Sequence, residues 1–109
     1  MSYNYDFWLR IVGHPNFSTL PTNLLDCVVN SYEHTVDDLM RGEGSQISWY
    51  SCERDMINLS LNFPQYVFEL SAYGEERDDI WLLQAKKGKI CRKYAQIIWP
   101  EFSAEDFEE

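Results

Sequence analysis

The sequence predicts a two-layer α+β domain, with about two helices packed on one face of a mostly antiparallel sheet. Three observations carry that expectation. Period-two alternation of apolar and polar residues occurs over 3–12 and returns from Tyr66 onward, helical spacing of apolar residues fills much of the interval, and glycine and proline separate the segments. The 109 residues leave room for one hydrophobic core, and 45% apolar with 16% aromatic content supplies enough surface to offset the entropy of ordering the chain.

Tyr3, Tyr5, Phe7, Leu9 and Ile11 alternate with Asn4, Asp6, Trp8 and Arg10, the pattern of a half-buried first strand. Gly13 to Asn16 has turn chemistry, and Pro21 suits the first turn of a helix. Leu24, Leu25, Val28, Val29 and Tyr32 then recur at helical spacing. Val36, Leu39 and Met40 continue it across a β-branched, histidine-containing patch, leaving one helix or two open before Gly42 and Gly44. Residues 47–50 read as a short strand with Trp49 inward. Ser51 reads as the N-cap of a helix that carries Met56, Leu59 and Phe63 on one face and ends at Pro64.

In the next strand Tyr66, Phe68, Leu70 and Ala72 share one face, with Glu69, Ser71 and Tyr73 on the other. A charged turn over 74–79, a strand over 80–86, a Lys87-Gly88 turn and a strand over 90–99 complete an antiparallel meander. The expected order is β-α-β-α-β-β-β, a domain of ferredoxin-like type over residues 1–100, followed by an acidic tail over 101–109 that frays.

Eighteen acidic against nine basic residues give a formal charge of −9, which repels nucleic-acid phosphates and anionic membranes. Lys86, Lys87, Lys89, Arg92 and Lys93 concentrate five of those nine cations in one stretch, so the remaining surface is more acidic still. No run approaches the roughly 18 to 20 apolar residues that cross a bilayer, and the first ten residues lack a basic, secretory-type start. Cys27, Cys52 and Cys91 are odd in number and include no CxxC pair, which argues against a disulfide framework and a thiolate metal site. A cytoplasmic protein with no cofactor is expected.

His14 and His34 are the imidazoles, and neither sits in a recognisable nucleophile motif, so no enzyme is expected. Glu75, Glu76, Asp78 and Asp79 crowd around Arg77 without the ligand order of a calcium loop. They read either as a solvated hairpin turn or as an acidic knob that binds a partner. The basic stretch from Lys86 to Lys93, close to Tyr94 and Trp99, has the composition of a phosphate-contacting patch. The favoured reading makes it the solvent face of a terminal strand, where cations discourage edge-to-edge aggregation. Of the four tryptophans, Trp8 and Trp81 are assigned to strand faces that the apolar alternation does not claim, and so are candidate interface anchors. A surplus apolar face of that kind equally suits a second copy of the chain.

The segments ISWYSCERDM, LSLNFPQYVFEL, YGEERDDIW and KKGK, with the opening YDFWLRIVG, resemble a family of small ferredoxin-like proteins carried by phages and mobile elements. The shared pattern is "WYS", a short helix ending in proline, an "FEL" strand, a "GEE..D.W" turn and a "GK" hairpin, over about two thirds of the chain; residues 17–45 match no part of it. No catalytic residue travels with these motifs. The resemblance implies an accessory protein in the cytoplasm of a host bacterium that inhibits a defence system, as anti-CRISPR and anti-restriction proteins do. Its partner is expected to be a nucleic-acid-binding defence complex or nuclease, met through Glu75, Glu76, Asp78, Asp79, Trp8 and Trp81. The alternative is a structural module that dimerises through its aromatic sheet face.

Overall fold

The first alternation becomes strand β1 (Tyr5–Ile11), in which Phe7, Leu9 and Ile11 are buried while Asp6, Trp8 and Arg10 are exposed. The computed structural model describes residues 3–15, 19–30 and 33–107. Asn16 of the expected first turn, Tyr32 of the expected first helix and the tail residues Glu108 and Glu109 lie outside them.

The remaining elements are α1 (Thr22–Leu25), α2 (Val36–Met40), β2 (Gly44–Ile47), α3 (Cys52–Asn62), β3 (Phe68–Gly74), β4 (Ile80–Lys86) and β5 (Lys89–Tyr94). A 3-10 turn over Ala104–Phe107 follows. The strands form one five-stranded sheet in the order β2-β1-β3-β4-β5, with every neighbouring pair antiparallel. The α+β class and the antiparallel sheet are as expected; the described residues hold three helices rather than about two, α2 and α3 lying against the sheet and α1 against α2. The element order is β-α-α-β-α-β-β-β, distinct from the β-α-β-β-α-β ferredoxin-like unit.

The open choice between one helix and two resolves as two short ones. The histidine-containing patch is where α2 starts: Thr35 Oγ1 accepts from the Asp38 N–H at 3.1 Å, and the Thr35 N–H donates to Asp38 Oδ2 at 3.0 Å. This reciprocal capping box fixes a helix start at a residue that a continuous helix would need in its interior. Before it, Val28 is exposed and bridges to Thr35, so it does not share a helical face with Leu24. Two other boundaries shift. Strand β2 ends at Ile47, leaving Trp49 buried in the link to α3, and β5 ends at Tyr94, well short of Trp99.

Register explains the core. Cross-strand rows Ile11-Phe68-Ala85-Ile90, Leu9-Leu70-Leu83-Arg92 and Phe7-Ala72-Trp81-Tyr94 run over the buried face of β1, β3, β4 and β5. Leu24, Val36, Leu39, Met56 and Leu59 of the helices close over them. Ser51 occupies the expected N-cap position of α3, but its hydroxyl makes no backbone cap bond and donates to Asp55 Oδ2 at 3.0 Å. The same oxygen accepts from Trp49 Nε1 at 2.6 Å, pinning the buried indole to the first turn of the helix.

The Lys87-Gly88 turn has positive φ at both residues (50° and 81°), as a two-residue hairpin of the I′ type requires. Gly88 N–H donates to Ser60 Oγ at 2.8 Å, which docks the turn on α3. A Cβ at Gly88 would meet Leu61 Cδ2 at 2.6 Å; that exposed side chain can swing aside, so backbone strain sets the penalty. Gly88→Ala is therefore expected to cost about 1–2 kcal/mol. Thermal unfolding checks this, and an unchanged midpoint would contradict the turn geometry.

Candidate functional site

The acidic turn between β3 and β4 is built as a braced knob. Tyr3 and Tyr5, at the start of the chain, both donate their hydroxyls to Asp79 Oδ2, at 2.9 and 2.7 Å. The Glu76 N–H donates to the Tyr3 hydroxyl oxygen at 3.0 Å, and the Asn4 N–H donates to Glu75 Oε2 at 2.6 Å. Gly74 N–H closes the turn on the Asp79 carbonyl at 2.7 Å. A Cβ at Gly74 would lie 2.5 Å from the Tyr3 hydroxyl, so only glycine lets the tyrosine reach across.

The four predicted carboxylates thus divide by role. Asp79 faces inward and holds the turn to the beginning of β1, whereas Glu75, Glu76 and Asp78 are exposed at the tip with Arg77. Burial, reinforced by the bond to Asp79, raises the Tyr5 phenol above its ordinary value. Tyr3 and Tyr5 are site residues that the sequence reading missed. The available signal was two phenols at the start of a core-facing alternation, each needing a polar partner for its hydroxyl.

The charge is polarised along the sheet. Acids occupy the 74–79 end, which is also where the chain leaves β5, with the Ala95 N–H donating to the Ile80 carbonyl at 2.9 Å. Lys86, Lys87 and Lys89 occupy the opposite end, the length of β4 away, roughly 20 Å. Lys89 and Lys93 are exposed on the edge strand, matching the favoured reading of the basic stretch. Arg92 departs from it, turning to the helix side of β5. Its guanidinium carbon lies 4.1 Å from the Trp81 ring centroid, and Nη2 pairs with Glu53 Oε1 of α3 at 2.6 Å.

The two tryptophans singled out as anchors separate. Trp8 is 52% exposed on the open face of the sheet, but Trp81 is 4% exposed and belongs to the core. The cause is register, because small Ala72 sits opposite Trp81 and leaves space for an indole between Phe7 and the Arg92 guanidinium. Trp81 is therefore corrected from surface anchor to core residue, where it also floors a cleft. That cleft, about 820 Å³, opens beside the start of α3, with Trp49, Tyr50, Arg54 and Arg92 among its walls.

On the open face, Trp8 shares a row with Ser71, Leu82 and Lys93, and Tyr73 and Leu82 are also substantially exposed. Arg10 Nε donates to Glu69 Oε1 at 2.6 Å, and Gln84 Nε2 donates to Glu69 Oε2 at 2.8 Å. These bonds, Arg10 first, hold the Glu69 carboxyl below its usual range. His14 lies edge-on to Tyr66, with ring centroids 5.3 Å apart, and His34 Nδ1 is 3.2 Å from Asn30 Oδ1. The three cysteines are free, and burial raises the Cys52 thiol. Among the described residues, no three of His, Cys, Asp and Glu gather where a metal ion would sit, and no helix is long and apolar enough to cross a membrane.

Compared with family models, curated proteins and solved structures, the chain matches none of them.

Proposed function

We propose that this protein is a non-catalytic binding module that inhibits a nucleic-acid-handling protein by occupying its basic groove, in the manner of phage-encoded anti-defence proteins such as anti-CRISPRs. The observation that carries this reading is the braced acidic knob. Glu75, Glu76 and Asp78 stand exposed on a turn that Asp79 and two tyrosine hydroxyls fix to β1, so little ordering entropy remains to be lost when a partner closes on it. A net charge of −9 steers the chain toward cationic surfaces and away from phosphates. The phage origin and the ferredoxin-like relationship rest on the resemblance of the "WYS", "FEL", "GEE..D.W" and "GK" segments. Helices on one face of an antiparallel sheet are compatible with that relationship, while the element order and the strand order β2-β1-β3-β4-β5 depart from the ferredoxin-like unit.

Affinity capture from bacterial lysate with the full chain as bait tests the proposal. It is expected to recover a nucleic-acid-binding protein that added double-stranded DNA displaces. Capture only of partners indifferent to DNA and to salt would overturn it.

A further inference from the structure

The segment after β5 is dressed as a ligand. Trp99, Phe102 and Phe107 are 80%, 82% and 74% exposed, Ile97 and Ile98 are exposed beside them, and Glu101, Glu105 and Asp106 are interspersed. It is also locally shaped. The Ser103 N–H donates to Asp106 Oδ2 at 2.6 Å, and the rings of Phe102 and Phe107 pair with centroids 6.1 Å apart. Large aromatic side chains, tryptophan above all, are enriched among the anchors of interfaces.

The same chain carries a surface of complementary character. The open face of the sheet presents Trp8, Tyr73 and Leu82, and Lys86, Lys89 and Lys93 line its β4–β5 side. The apolar groove between Tyr73, Leu82 and Lys93 reaches Tyr94 and Ala95, the root of the segment. Residues 95–107 are all exposed and so are Tyr73, Leu82 and Lys93 of this groove, in a molecule with a long axis of 57 Å and a radius of gyration of 16.9 Å. A chain of this length folded back on itself would measure about 13 Å.

We propose that the occupant of the open sheet face is the 97–107 segment of a second copy, so that two chains exchange these segments reciprocally. This deepens the assembly alternative drawn from the sequence and is independent of the acidic knob. Aromatic side chains bury about 150–250 Å² each, so the three exposed rings offer roughly 450 Å² per chain. With the sheet area they cover, and counting both copies, about 1,800 Å² is removed from solvent, inside the range of stable specific interfaces. The segment's carboxylates meet the Lys86, Lys89 and Lys93 side of the partner, which fixes one orientation.

Sedimentation equilibrium of the full chain tests this, with Trp99→Ala/Phe102→Ala and Trp8→Ala as variants at exposed positions and circular dichroism as the check on folding. The expected result is a dimer whose dissociation constant rises by roughly 30-fold or more in each variant. A dimer weakened by Trp8→Ala but indifferent to Trp99→Ala/Phe102→Ala would overturn the segment's role while leaving a sheet-face interface standing. A monomer at roughly 100 μM, including one in which the segment closes over its own sheet, would overturn both.

Discussion

Replacing Trp81 with alanine is expected to cost about 3–5 kcal/mol of folding stability, a large share of what a domain of this size possesses. The indole is buried between Phe7 and the Arg92 guanidinium and opposite Ala72, so its removal opens a cavity that the small neighbour cannot fill. Arg92 would also lose its stacking partner while remaining half-buried beside Glu53. Trp8→Ala, on the open face with its ring resting on Gly42, is expected to cost about 1–2 kcal/mol. Urea unfolding of the two variants separates them. If both were equally mild, Trp81 would be a surface residue, and the register of β3 with β4 would have to differ.

Asp79→Ala is expected to cost about 1–2 kcal/mol, because one carboxylate oxygen accepts two phenol hydroxyls across the molecule and water replaces that acceptor only in part at these half-exposed rings. The turn should loosen as well. Glu75, Glu76 and Asp78 would remain, but no longer braced, so partner affinity is expected to fall even though the three exposed charges persist. A pH signature accompanies this. The folded-state pKa of Tyr5 is raised, so its contribution is fully present below the unfolded value near pH 10 and is lost as pH climbs through the folded value. Alkaline spectrophotometric titration should show this phenol ionising late in the wild type and closer to its ordinary value in Asp79→Ala. Burial is the larger cause and persists in the variant, so the change is partial; identical titrations would mean that Asp79 does not hold the Tyr5 phenol.

The legibility of the molecule from its sequence follows where its patterns are one-sided. β1 and β3 bury one clean set of alternate residues, and the Lys87-Gly88 turn declares itself by chemistry. Strand β4 does not, because Ile80 and Leu82 are apolar on one face and Trp81, Leu83 and Ala85 on the other. Period two then identifies a strand without choosing its inner side, and pairing of Trp81 with Ala72 makes the choice. β5 has the same ambiguity in charge, with Lys89 and Lys93 on one face and Arg92 on the other. Arg92 is drawn inward by Glu53 and the Trp81 ring, neither of which is near it in sequence. Asp79 looked like its three acidic neighbours for a related reason, since its partners Tyr3 and Tyr5 lie more than seventy positions away. One helix or two stays open before Gly42 because valines at helical spacing imitate a continuous helix, while the capping box that starts α2 needs Thr35 and Asp38 to be seen together.

Whether the exposed carboxylates bind the partner is read from the affinity of the captured partner for Glu75→Gln/Glu76→Gln/Asp78→Asn, a variant that removes the exposed charges and leaves Asp79 and its tyrosines in place. The dissociation constant is expected to rise at least tenfold, about 1.4 kcal/mol, with a flatter dependence on salt and a native circular dichroism spectrum, the amide oxygen introduced at position 75 taking over as acceptor for the Asn4 N–H. Wild-type affinity in that correctly folded variant would mean that the exposed carboxylates do not carry partner binding.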